Sequence, residues 1–293
     1  MRLLNFYYNN TLHLGVKNKN GILDITESLK KFPVDNVPKT MDEIFKDTDS
    51  LNNLEEYINK YGNNGVLRAE DDLEFESCVP NPGKIVGIGL NYYDYLKSAN
   101  LIKPDYPRLF NKYSDAVVGH KGIVRIPSNA RQVDYEGELG VIIGLKARLV
   151  TSENAMKHVL GYCNVNDVSC RDFQDLTPSW LPGKACDTFA PLGPYLVTSD
   201  EVPDPHNLQL TTYLNGELRQ NTSTSEMICK IPDLISYVSK FFTLMPGDVI
   251  LTGSPDGMII CYPEDERVWL KEGDVLEVEV GNLGRLISYV KDE

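Results

Sequence analysis

The chain has 293 residues, 42% hydrophobic and 24% charged, enough for one large core or two smaller ones. Its formal charge of -13 at pH 7 excludes nucleic acid as a general partner, because a phosphate backbone is met by clustered Lys and Arg. No apolar run reaches the length of a membrane span, so no membrane is expected as a partner.

In chain order, residues 1 to 78 read as a small N-terminal domain. Short apolar pieces (Leu12 to Val16, Gly21 to Ile25) lead to helical stretches around Met41 to Phe45 and Leu51 to Tyr61, the second broken by Gly62-Asn63-Asn64-Gly65. Pro80-Asn81-Pro82-Gly83 is the expected junction, because its prolines remove donors and restrict the backbone. Residues 79 to 293 then form the second domain, where β signals dominate. Lys84 to Leu90 is a short strand, and Asp134 to Gly144 is a strand that is apolar apart from its opening. Ser152 to Val159 begins with capping residues and is expected to be a helix stopped at Gly161. Leu208 to Leu214 and the run from Glu217 flank Asn215-Gly216, a two-residue hairpin signal. Leu234, Ile235, Val238, Phe241 and Phe242 recur at helical spacing after Pro232, a core-facing stripe. Leu276, Val278 and Val280 alternate with Glu277 and Glu279, and a turn at Gly281 to Gly284 leads into a strand from Leu286 to Val290. The expected class is α+β, rich in strands and poor in helices.

The chemistry starts at Glu136 and Glu138. Side chains alternate along a strand, so Leu139, Val141 and Ile143 share one face while the two glutamates point together to the other. Two like charges side by side at the mouth of a buried strand repel unless a cation sits between them, and a hard divalent ion such as Mg2+ or Ca2+ is the simplest one. A solvated strand end is the plain alternative. Asp167 is the candidate third ligand, in a polar stretch expected to leave a short helix, with Arg171 and Gln174 close behind it. A Gly/Pro-rich loop, Trp180 to Pro194, carries Lys184, which in isolation reads as a surface lysine. Six cysteines form no CxxC pair and no zinc spacing, and the opening residues MRLLNFYYNN do not read as a secretory signal. Reduced thiols and a cytoplasmic enzyme are the expectation.

Taken together, Glu-x-Glu, an Asp some thirty positions on, then Arg, Gln and Gly-Lys resemble the fumarylacetoacetate hydrolase family. The likeness extends upstream to Gly89-Leu90-Asn91-Tyr92 and downstream through Asn215-Gly216-Glu217, Gln220 and Pro246 to Pro255, covering roughly residues 84 to 290. It implies a mixed β-roll or sandwich as the C-terminal domain, and a metal site of Glu136, Glu138 and Asp167 holding Mg2+ or Mn2+, with Ca2+ an expected substitute in crystals. It also implies Lys184, Gln174 and Thr252 as catalytic groups, and Gly253, Tyr92 and Arg171 in substrate binding, although Arg171 also reads as a structural partner of Asp172. A small anionic 2-oxo acid substrate and a homodimer follow from the same resemblance.

The sequence departs from the family where a mobile helix usually carries a His and a Glu. Aligned on Asn91-Tyr92, those positions hold Tyr95 and Ser98, which form no carboxylate–imidazole dyad. Tyr95 is therefore a candidate hydrogen-bond donor or acid. Ser254 stands where threonine is usual, followed by Asp256-Gly257-Met258. Three readings result. The first is C–C bond cleavage of a 2-oxo or 2,4-dioxo acid, by hydrolysis or decarboxylation through a metal-stabilised enolate. The second is isomerisation of a 2-hydroxy-dienedioate, or dehydration of a 2-keto-3-deoxy sugar acid, on the same site. Loss of the dyad favours this second reading, because tautomerisation and elimination need no hydrolytic water. The third is a binding protein that has lost catalysis.

Overall fold

The computed structural model describes residues 1–47 and 49–293. Its helices are short: α1 (Ile25–Lys31), α2 (Met41–Lys46), α3 (Ser50–Tyr61), α4 (Tyr93–Ser98), α5 (Ser152–Ala155), α6 (Arg171–Gln174), α7 (Leu181–Lys184) and α8 (Ile231–Ser239). Among the described residues no helix is long and apolar enough to cross a membrane. Strands supply the architecture, which is the expected strand-rich α+β class.

The large sheet runs in space through Val66–Arg68, Gly21–Asp24, Thr11–Asn18, Arg2–Tyr8, Ala190–Thr198, Val159–Asn166, Gly137–Ile143, Val249–Leu251, Ile85–Gly89 and Arg108–Lys112. A second, five-stranded sheet runs through Glu217–Ser223, Gln209–Leu214, Val275–Val280, Arg285–Asp292 and Gly122–Ile126. The two sheets face each other across one apolar cluster in which Leu139 and Val141 pack with Leu210, Val278 and Leu286. The hairpin at Asn215-Gly216 forms as the sequence indicates, with φ of 53° and 79° at the two turn residues, the pair of positive values that a two-residue turn of this kind needs.

The N-terminal segment is built into the same sheet. Arg2–Tyr8 pairs antiparallel with Ala190–Thr198, Leu3 opposite Leu196, so residues from both ends of the proposed boundary share a ladder. A division into 1–78 and 79–293 stands as a proposal about folding units, to be tested by expressing the two parts separately.

Three local expectations change. The segment from Ser152 is helical only to Ala155, followed by a 3-10 turn to His158, and Val159 already begins a strand. Gly161 therefore stops no helix; it sits where the chains press together, and a Cβ there would lie 2.2 Å from the Val197 carbonyl oxygen. For the same reason Asp167 follows a strand, not a helix. The apolar stripe of α8 holds at Leu234, Ile235 and Val238, but Phe241 lies beyond the helix end and is 57% exposed.

Candidate metal centre

Glu136 and Glu138 flank the start of the strand Gly137–Ile143 and are 7% and 1% exposed, which removes the solvated strand end as an explanation. Register brings in the third carboxylate. Gly137 lies opposite Asn166 on the neighbouring antiparallel strand, so Glu136 and Asp167 face each other across the ladder, and the Asp167 N–H donates to the Glu136 carbonyl at 2.8 Å. Asn166 Oδ1 accepts from the Glu136 N–H at 3.0 Å and fixes the strand mouth. One oxygen from each of Glu136, Glu138 and Asp167 lies within 4.8 Å of the others.

The residue between the glutamates explains the Glu-Gly-Glu spacing. Gly137 faces the second sheet, where a Cβ would meet Thr212 Oγ1 at 2.1 Å, and its N–H donates to Gln220 Oε1 at 2.8 Å. Gly137→Ala is expected to destabilise the fold by about 1–3 kcal/mol, the usual cost of overpacking, and to weaken ion binding by tilting both ligands. Urea denaturation and a metal titration of the variant check the two effects together.

Two ammonium groups and a guanidinium surround the carboxylates. Lys184, buried on α7, donates to Glu136 at 2.8 Å and to Asp167 at 2.6 Å, with Nζ 4.6 Å from the centre of the Phe110 ring. Burial works against its charge, but Asp167 and Glu136 outweigh burial and hold its pKa above the ordinary value. Lys112 lies on the other side of Asp167, 2.6 Å from Oδ1, and donates to the carbonyls of Val168 and Phe189. Arg171 pairs with Asp134 at 2.7 Å and with Glu136 at 2.6 Å. Its structural partner is thus Asp134, not the adjacent Asp172, whose carboxylate accepts from the N–H groups of Arg131 and Gln132. Burial would raise the Glu136 carboxyl, yet Lys184 and Arg171 bring it down to about 2.

Glu138 is different. Among the described residues it makes no ion pair, and it accepts the Gly253 N–H at 2.7 Å. Burial, then the charges of Asp167 and Glu136, push its pKa well above the usual carboxylate range. A buried carboxyl without a cation, beside two others, is the position a divalent ion would occupy to advantage. Hard oxygen donors suit Mg2+ or Mn2+, and three carboxylate oxygens within 4.8 Å of one another are near enough to share one such ion. The residues fit such an ion. With every carboxylate ionised, Asp134, Glu136, Glu138 and Asp167 face Lys112, Lys184 and Arg171, one negative charge in excess, so a divalent ion would leave the corner one unit positive and receptive to an anion.

A cavity of about 60 Å³ opens beside this corner, lined on its polar side by Glu136, Arg171, Gln174 and Lys184. Tyr95, from α4, lines it as well, and Gln174 Oε1 accepts from Arg171 at 3.1 Å. Thr252, Gly253 and Tyr92 are placed otherwise. The Thr252 hydroxyl donates to the Leu139 carbonyl at 2.9 Å, and the Gly253 N–H is taken by Glu138, so both brace the ligand strand from behind. Gly253 has φ of 101° and would bring a Cβ to 2.8 Å from Asn91 Cβ, so glycine is required there. Tyr92 is fully buried under the site, its hydroxyl unpartnered, its pKa pushed well up by burial and by Glu138. None of these three lines the cavity. Ser98, exposed at the end of α4, donates to Asp256 at 2.7 Å.

Lys112, Asp134 and Asn166 were not foreseen. Asp134 accepts from Arg171 twice and from the N–H groups of Ile259 and Ile260, tying the guanidinium to the loop after Ser254. The signal for Lys112 was faint but present: Phe110 and Lys112 alternate on the inward face of one short strand.

Comparison with known proteins finds a family model, curated relatives and solved structures to which the chain is similar. The sequence model described as fumarylacetoacetate hydrolase C-terminal matches residues 84–291. A mitochondrial oxaloacetate tautomerase of Xenopus laevis is 42% identical over 229 residues, which cover 78% of this chain and 71% of that protein. A second, from Bos taurus, is 37% identical over 282 residues, covering 95% of this chain and 87% of that one. Among solved structures, the fumarylacetoacetate hydrolase of Exiguobacterium antarcticum superposes with a TM-score of 0.82 at 30% identity, over 100% of both chains. Maleylpyruvate hydrolase of Sphingobium sp., solved with a manganese(II) ion and pyruvate, gives 0.81 at 27% identity over 100% of this chain and 99% of that one.

Proposed function

The chain belongs to the fumarylacetoacetate hydrolase family and is a metal-dependent enzyme of it; from that premise we propose that it is a tautomerase of a small 2-oxo dicarboxylate of the oxaloacetate type, with Mg2+ as its ion. The observation that carries this reading is the cavity wall. It offers cationic and amide groups from Arg171, Lys184 and Gln174 and a tyrosine from α4, while the positions at which the family resemblance places a water-activating His and Glu hold Tyr95 and Ser98. The relatives named oxaloacetate tautomerase support the same substrate. Because those relatives and the solved neighbours are enzymes, the reading as a non-catalytic binding protein falls away.

Tautomerisation moves one proton off the enol oxygen and places one on carbon 3, while the C=C pair becomes a C–H bond and the C–O bond a carbonyl. Nothing else is consumed. The ion held by Glu136, Glu138 and Asp167 would supply Lewis acidity toward the oxygen on which negative charge develops. Lys184 and Arg171 would place fixed positive charge beside the substrate's anionic groups in a buried site, where preorganised charges stabilise without reorganising. Burial pushes the Tyr95 hydroxyl up to about 12, against the pull of Arg171, so it holds its proton throughout the neutral range. Tyr95 is assigned as the group that delivers that proton to carbon and takes back the enol proton.

Tyr95→Phe is then expected to lower turnover about a hundredfold or more, the low end of what acid–base groups contribute, with little change in KM. Because the tyrosine pKa is raised, the parent's rate should show no basic fall attributable to this group below about pH 11. A pH profile of both proteins checks the two statements; an unchanged rate in Tyr95→Phe would reduce Tyr95 to a space-filling wall.

A second reading, C–C bond cleavage by hydrolysis or decarboxylation, has the likeness to maleylpyruvate hydrolase in its favour. Offering the Mg2+-loaded protein enol-oxaloacetate, acylpyruvates and 2-keto-3-deoxy sugar acids separates the readings. The tautomerase reading expects enol loss faster than any release of carbon dioxide or free acid; cleavage products appearing first would replace it. We also propose a homodimer, as the family resemblance suggests, to be checked by light scattering in solution. The relatives' mitochondrial names give the cytoplasmic expectation no support, while six free cysteines are consistent with a reducing compartment.

A further inference from the structure

We propose that Trp180, braced by Arg108, is the residue that sets the length of acid the cavity accepts. The cavity is lined by the polar Glu136, Arg171 and Lys184 and by the apolar Ile88, Leu90, Phe110, Trp180 and Met258, with the Lys184 ammonium over the Phe110 ring. In this proposal a 2-oxo acid held by its carboxylate and carbonyl at the polar groups directs its tail against the Trp180 ring.

Trp180 is held there from several sides. Its backbone is left-handed, φ 63°, a conformation that a large side chain rarely adopts. Its carbonyl accepts from the N–H groups of Gly183 and Lys184, so the same turn that aims the indole also starts α7 and delivers Lys184 to the carboxylates. The indole fills the space left by the missing side chain of Gly89, where a Cβ would come within 2.3 Å of Trp180 Cζ3. Phe110 lies against it at 6.1 Å between ring centres. The Arg108 guanidinium stacks over it at 4.6 Å, and among the described residues Arg108 has no carboxylate partner to draw it away. A bulky ring pinned between a glycine, a phenylalanine and a cation makes a rigid end wall, and the cavity behind it amounts to about 60 Å³, room for only a few water-sized groups.

The inference rests on the reading of this cavity as a 2-oxo acid site, and the test keeps the two apart by measuring binding, not turnover. Mg2+-loaded protein is titrated with pyruvate and with 2-oxooctanoate by calorimetry, for the parent and for Trp180→Gly, Trp180→Phe and Arg108→Ala. Glycine suits the left-handed backbone, so the first variant opens the wall without straining the turn. The parent is expected to prefer pyruvate, and Trp180→Gly to shift the ratio toward the long acid by about tenfold or more, the scale on which a few methylenes are discriminated by an apolar pocket. Trp180→Phe and Arg108→Ala, which leave the turn intact, are expected to shift the ratio the same way by less. A ratio unchanged in all three variants overturns the role of Trp180 alone. Failure of pyruvate itself to bind the parent overturns the 2-oxo acid reading, and this inference with it.

Discussion

Glu138→Gln is expected to abolish specific divalent-ion binding and to lower turnover by about three orders of magnitude, while the ion-free protein becomes no less stable than the parent. The substitution keeps the shape of the side chain and an oxygen to accept the Gly253 N–H, so the turn after Thr252 has no reason to move. What it removes is one of three negative charges. In the ion-free protein Glu138 has no cationic partner among the described residues, and the burial and neighbouring carboxylates that raise its pKa are costs that folding bears. Neutralising it relieves them by about 1 kcal/mol or more, as replacement of buried charges often does. The loaded protein behaves oppositely, since the ion is expected to supply several kcal/mol of charge stabilisation, and about 4 kcal/mol corresponds to a thousandfold in rate. Urea midpoints with and without chelator, set beside metal titration, separate the two effects. A variant that binds Mg2+ as tightly as the parent would remove Glu138 from the ligand set.

Asp134→Ala is expected to cost about 3–5 kcal/mol of stability, the range for stripping one partner from a buried ion pair. Asp134 is fully buried and receives Arg171 through two N–H groups, at 3.0 and 2.7 Å, together with the backbone N–H groups of Ile259 and Ile260. Without it the guanidinium keeps, among the described residues, only Glu136 as a carboxylate partner, and the loop beyond Ser254 loses two anchors. Burial opposes the charge of Arg171, and Asp134 and Glu136 are what keep its pKa above the ordinary value. Substrate affinity should fall along with stability, because Arg171 lines the cavity that Asp134 orients it toward. Thermal unfolding and KM are the readouts; a variant with parental unfolding temperature would show that Arg171 needs no support.

How much of this was legible beforehand depended on whether a feature is local. Glu136 and Glu138 share a face because a strand alternates, and their spacing alone said so. The Asn215-Gly216 turn was equally local. Asp167 could be named as a candidate but not placed, because its approach to Glu136 depends on the register that sets Gly137 opposite Asn166. Lys184 and Arg171 read as surface groups or ion-pair partners in isolation; only the fold shows them buried against the carboxylates. Asp134 carries no periodic signal and Lys112 only a faint one, and the partners of both lie on other strands and loops. Thr252 and Gly253 lie in the expected neighbourhood, but their hydrogen-bonding groups are already committed to Leu139 and Glu138, a matter of side-chain and backbone direction that a motif does not encode. The entry of Arg2–Tyr8 into the large sheet was likewise invisible, since the pairing of Leu3 with Leu196 joins opposite parts of the chain.

The most direct measurement follows the decay of enol-oxaloacetate by its ultraviolet absorbance, with protein freed of metal and then titrated with Mg2+. Little acceleration by the metal-free protein is expected, with saturable acceleration as Mg2+ is added and reversal by chelator. Acceleration that is equal with and without the ion, or that survives in Glu138→Gln, would contradict it.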